Sequence, residues 1–161
     1  MRITVMVASL LFALPIEAAE PQFTDYPAKI IFKTEPAPVD FASSPDGKRF
    51  RTRLSSGAAS GPNYAGNLTI VSWGCGSNCE VVTIISAESG KIIQSLVTCG
   101  AHDYKLESGL LVINPPGPNM TYPRACATEY YEWNNNRLLE IEASTDNRPP
   151  VQTAQADNGG H

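Results

Sequence analysis

Little in this chain is equipped for acid–base or nucleophilic chemistry. Its 161 residues include two histidines, His102 and His161, and four cysteines. It also lacks any apolar run long enough to remain in a membrane. The longest, Ile3 to Leu14, follows Arg2 and precedes Pro15, Ala18 and Ala19. At about a dozen residues it falls short of the roughly 20 that a spanning helix needs, and it has the layout of an export signal. Cleavage after Ala18 places Ile16 and Ala18 at the positions read by the peptidase. No cysteine follows the run closely, which argues against lipid attachment, so no membrane anchor is expected. Excess positive charge is missing too. Twelve Lys and Arg stand against 16 Asp and Glu, for a net charge of −4, and a general nucleic-acid binder needs the opposite balance to displace counterions.

What remains after residues 1–18 has the size of one ordinary domain. The expected organisation is a signal peptide over 1–18, one β-rich domain over 19–143 and a disordered polar tail over 144–161, which has almost no large apolar residue to offset its ordering entropy. An even cysteine count in an exported chain reads as two disulfides. Of the three pairings, Cys75 with Cys79 and Cys99 with Cys126 is favoured, because the first two flank one short turn.

Pro21, Pro27, Pro36 and Pro38 make the start of the domain an extended lead-in with one edge strand, Lys29 to Lys33. Ser43, Ser44, Pro45 and Asp46 supply a helix start, and Phe50 and Leu54, four apart, give the apolar stripe of a short helix from Pro45 to Gly57. Strand competes there, since Phe50, Thr52 and Leu54 alternate with Arg49, Arg51 and Arg53. Beyond the turn Gly61-Pro62-Asn63, short runs rich in Val, Ile, Tyr and Trp read as strands: Asn67 to Trp73, Glu80 to Ser86, Lys91 to Val97, His102 to Glu107, Leu110 to Asn114, Thr128 to Trp133 and Arg137 to Glu142. Most links are hairpin length, which joins antiparallel neighbours. The fold class is therefore mainly β: an antiparallel meander forming a single curved sheet or small sandwich, with one short N-terminal helix. An echo between Val71-Ser72-Trp73-Gly74 and Tyr131-Glu132-Trp133-Asn134 raises the alternative of two propeller-like blades.

Several constellations compete for a role. Trp73-Gly74-Cys75-Gly76-Ser77-Asn78-Cys79 reads first as a disulfide-pinned hairpin. Cys75, Cys79, Cys99 and His102 loosely suit tetrahedral zinc, but that choice strands Cys126 as an odd thiol. Redox exchange normally uses two intervening residues at a helix N-terminus, whereas here there are three between strands. A nucleophilic Cys99 with His102 and Asp103 fails because adjacent strand residues point to opposite faces, and the odd spacing of Glu129 and Glu132 separates that carboxylate pair in the same way. Lys48, Arg49, Arg51 and Arg53 form a basic face suited to an anionic envelope polymer, or simply to solvent. Tyr122, Tyr130, Tyr131 and Trp133 supply core residues or an aromatic contact patch.

Gly61-Pro62-Asn63-Tyr64-Ala65-Gly66, Thr69-Ile70-Val71-Ser72-Trp73-Gly74-Cys75-Gly76 and Tyr130-Tyr131-Glu132-Trp133 resemble the pattern of a group of small exported proteins of Gram-negative bacteria, over roughly Asp40 to Glu142. The resemblance implies a periplasmic location and brings no catalytic residue. No cofactor or metal is expected. The leading expectation is a non-enzymatic periplasmic or secreted binding protein whose partner is an envelope protein, in the manner of an inhibitor of, or immunity protein against, a cell-wall hydrolase. Loops suit such recognition, and the contact residues expected are Asn63, Tyr64, Ser77, Asn78, Asn119 and Tyr122. The alternatives are a metal- or thiol-dependent enzyme using Cys75, Cys79, Cys99 and His102, and an envelope glycan-binding protein.

Overall fold

A computed structural model describes residues 20–117 and 126–141. The expected export signal and polar tail, and the part of the proline-rich loop that carries Asn119 and Tyr122, lie outside the described residues. Within them the fold is mainly β, with two antiparallel sheets and one helix. No described helix is long and apolar enough to cross a membrane.

The first sheet joins β1 (Leu68–Gly76), β2 (Cys79–Ser86) and β3 (Ile92–Thr98) in that order. The second joins β4 (His102–Tyr104), β5 (Leu110–Ile113), β6 (Glu129–Asn134) and β7 (Arg137–Ile141). Each is a meander of neighbours in sequence, as short links require. The alternation of side chains along a strand then sorts the core into layers. Leu68, Ile70, Val82 and Ile84 from the first sheet meet Leu111 and Ile113 from the second around the wholly buried Tyr64. The opposite face of the first sheet, with Trp73, Ile85 and Ile92, packs on Leu54 and Ala58 of the helix α1 (Arg51–Ala58). Leu110, Val112 and Tyr130, on the far face of the second sheet, are covered by Phe23 and Tyr26 of the lead-in. The two tryptophan-bearing strands are not equivalent: Trp73 of β1 packs beneath the helix and Trp133 of β6 against the core between the sheets.

Two local expectations need correction. Lys29 to Lys33 is not an edge strand. The lead-in is an extended strap held by a few backbone bonds, a pair at Pro27 (Ala28 N–H to the Glu107 carbonyl and Gly109 N–H to the Tyr26 carbonyl) and single bonds from Phe32 to Gly66, Ala37 to Ala87 and Asp40 to Gly90. Its prolines have no N–H with which to extend a ladder, and Ile30 and Ile31 are exposed rather than buried. Gly66 and Gly90 lie where the strap comes closest. Both have positive φ, and a Cβ on either would overlap a strap carbonyl, that of Ile30 or Pro38.

The helix begins at Arg51, not Pro45. Upstream, the Asp40 carboxylate accepts the Ala42 N–H at 3.0 Å, which caps a 3-10 turn over Phe41–Ser43. The Ser43 hydroxyl, in the run expected to start the helix, instead accepts the Ile92 N–H at 2.9 Å and docks this turn on β3. The Phe50 and Leu54 stripe packs as expected, and Phe50 lies 4.8 Å from Trp73, ring centre to ring centre.

Candidate functional site

Most of the distinctive sequence motif is used to build the fold. In the turn before β1, both atoms of the Asn63 amide bond the backbone of Ile70: its oxygen accepts the N–H at 2.7 Å and its nitrogen donates to the carbonyl at 3.0 Å. Tyr64 is 0% exposed and its hydroxyl donates to the Gly109 carbonyl at 2.6 Å. Burial pushes that hydroxyl well above its ordinary pKa of 10.0, as expected where a charge would lose its hydration. Asn63 and Tyr64 therefore anchor the loop inward and do not form an exposed contact surface. Gly61, Ala65 and Gly66 all have positive φ, which folds the motif back on itself.

The cysteines pair as Cys75–Cys79 and Cys99–Cys126. All four sulfurs are consumed, so in this state neither a thiolate ligand nor a thiol nucleophile is available from them. Among the described residues no three His, Cys, Asp or Glu side chains converge as a metal site. The neighbours of His102 are Glu80 and Tyr104: its Nδ1 lies 3.2 Å from a Glu80 carboxylate oxygen, outside hydrogen-bond geometry, and its ring stacks on Tyr104 at 5.5 Å.

Cys75–Cys79 spans the tip of the β1–β2 hairpin, where Gly76 pairs with Cys79 and Cys75 occupies a bulge. Every residue from Gly74 to Asn78 is exposed, and Asn78 has a φ of 50°. Ser77 and Asn78 thus stand on a projecting, covalently clamped turn. The aromatic strand does not form a patch. Tyr130 turns under the strap, while Tyr131 and Trp133 face the core between the sheets. On the basic face, Arg51 lies 4.1 Å over the Phe41 ring and Arg49 5.4 Å over Phe50.

Sequence reasoning missed a pocket of about 220 Å³ between the strap, the Ala65–Asn67 bend and the β6–β7 turn. Lys29, Ile30, Asn67, Trp133, Asn135 and Asn136 line it, and the Lys29 ammonium donates to the Asn134 amide oxygen at 2.6 Å. The run Asn134-Asn135-Asn136 was visible as a turn, but only the strap's path brings Lys29 to it. No protein-family model, curated protein or solved structure matches the chain.

Proposed function

We propose that the protein is a non-catalytic binding protein acting in the periplasm or outside the cell, where it recognises an envelope protein such as a cell-wall hydrolase, as an inhibitor or immunity protein does. The observation that carries this reading is the clamped hairpin tip. A disulfide between residues four apart, with Gly74 to Asn78 all exposed, joins no separate parts of the core and closes only a small loop, for which chain entropy gives at most about 2 kcal/mol. Its larger effect is to hold Ser77 and Asn78 in one conformation, and ordering a contact loop before binding removes a cost of association.

The test is a turbidity assay of peptidoglycan hydrolysis by a panel of purified muralytic enzymes, with the oxidised protein added in increasing ratio. One enzyme should lose activity stoichiometrically and co-elute with the protein in gel filtration. Ser77→Arg, at an exposed position whose φ is not positive, should weaken both effects while leaving the melting temperature unchanged. If every enzyme keeps its rate and no complex elutes, the hydrolase reading is wrong.

A further inference from the structure

We infer that the pocket between the strap and the β6–β7 turn is a glycan site that takes one pyranose ring through neutral amides and an aromatic wall. It does not depend on the hairpin tip. Asn67 precedes β1 and Ser77 follows it, so the length of that strand, about 30 Å, separates the two.

The chemistry of the lining selects the ligand class. Asn67, Asn135 and Asn136 line the pocket, and among the described residues none of their side-chain amides has a hydrogen-bond partner. An amide donates and accepts at once, which matches neighbouring hydroxyls that do the same. Ile30, Ala65 and Trp133 supply apolar surface, suited to the C–H face of a sugar ring, since an aromatic group offers large contact area at low entropic cost. A phosphate or a metal ion would call for several cations or carboxylates. The lining offers one charged group, Lys29, already bonded to Asn134. The volume of about 220 Å³ lies below the roughly 300–1,000 Å³ of sites for larger ligands, and fits a single ring.

The walls are also set in advance. Asn135 and Asn136 have φ of 49° and 59° in a two-residue turn between the paired Asn134 and Arg137, the arrangement that matches the twist of a hairpin. Opposite them, the strap is pinned on both sides of Lys29 and Ile30 by the Ala28 bond to Glu107 at 2.8 Å and the Phe32 bond to Gly66 at 2.7 Å. Little reorganisation is needed for a ring to enter.

The experiment is a heteronuclear NMR titration of the oxidised, signal-free protein with glucose, N-acetylglucosamine and N-acetylmuramic acid. At least one sugar should shift the side-chain amides of Asn67, Asn135 and Asn136 and the Trp133 indole in a saturable way, leaving the Trp73 indole still. Asn135→Gly with Asn136→Gly removes two amides yet keeps the positive φ, and should weaken binding by roughly tenfold or more. Asn67→Ser provides a second probe outside the turn, should the first disturb folding. Binding of N-acetylmuramic acid alone, abolished by Lys29→Met, supports the site and identifies an acidic sugar; binding of the neutral sugars unchanged by Lys29→Met supports it and identifies a neutral one. No shift with any of the three, or shifts that both amide variants leave intact, overturns the inference.

Discussion

The side chain of Asn114 ties together the two ends of the loop that the Cys99–Cys126 bond closes. It is 4% exposed and has a φ of 50°. Its amide oxygen accepts the Cys99 N–H at 2.8 Å and its nitrogen donates to the Ala127 carbonyl at 3.2 Å, so it braces the backbone next to both halves of the Cys99–Cys126 bond. Asn114→Ala should cost about 2–3 kcal/mol in chemical denaturation, from two lost bonds and an unfavourable backbone angle. Asn114→Gly, which tolerates that angle, should cost less. Tyr64 makes a contrasting case. The Gly109 carbonyl that accepts its hydroxyl also accepts the Trp133 N–H at 2.8 Å, so Tyr64→Phe leaves no orphaned acceptor and should cost only about 1 kcal/mol. Its signature is in the pH dependence. The hydroxyls of Tyr64, Tyr104, Tyr130 and Tyr131 are all held above the ordinary 10.0, in each case chiefly by burial. The unfolded chain loses these protons first, so their contribution is fully present below pH 10 and is lost as pH rises further. Melting temperature measured from neutral pH to about pH 11 should fall steeply at the alkaline end, and less steeply in Tyr64→Phe.

Close approach governs the elements. Gly57 lies in the last turns of α1, where a Cβ would overlap both methyl groups of Val71 on β1. An alanine there gains about 1 kcal/mol of helix propensity but forces the helix off the sheet. Gly57→Ala should therefore destabilise, and Val71→Ala in the same chain should recover part of the loss, a non-additivity that a double-mutant cycle reads directly. The α1 boundary shows how tertiary docking overrides a local signal. Ser43 and Pro45 form a reasonable helix start in sequence, yet the Ser43 hydroxyl is taken by the Ile92 N–H of β3, and the chain makes a 3-10 turn before the helix can begin.

Across the whole molecule the two disulfides have different tasks. Cys99 follows β3 of the first sheet and Cys126 precedes β6 of the second, so their bond links the sheets around β4 and β5. Chain entropy assigns this longer loop about 3.5 kcal/mol as an upper figure, against about 2 kcal/mol for the hairpin tip. Replacing Cys99 and Cys126 by serine should lower stability by more than replacing Cys75 and Cys79. Mild reduction followed by alkylation should label Cys75 and Cys79 first, since Cys75 is exposed whereas Cys126 is 7% exposed and thiol exchange requires access to sulfur. Equal labelling of all four cysteines at partial reduction would contradict this order.

The seven strands, their antiparallel neighbours and the cysteine pairs were legible because they follow from local rules: alternating apolar residues, turn residues at short spacing, and thiols that flank one turn. Local rules stop at the faces. Tyr130 and Tyr131 are adjacent in sequence, but one turns beneath Phe23 and Tyr26 and the other toward the first sheet. Asn63 and Tyr64 read as a polar loop until the Ile70 backbone and the Gly109 carbonyl claim their side chains. The pocket is the clearest case, because Lys29 and Asn134 are 105 residues apart. Sequence by itself determined seven strand segments and the pairing of those joined by short turns, since those choices depend on neighbours along the chain, but not that Lys29 to Lys33 stays outside the sheets or that β3 and β4 fall in different ones. Tertiary structure alone decided which side chains are used up in the core and which remain free to meet a partner, because that depends on the path of a strap held by backbone bonds to widely separated parts of the chain.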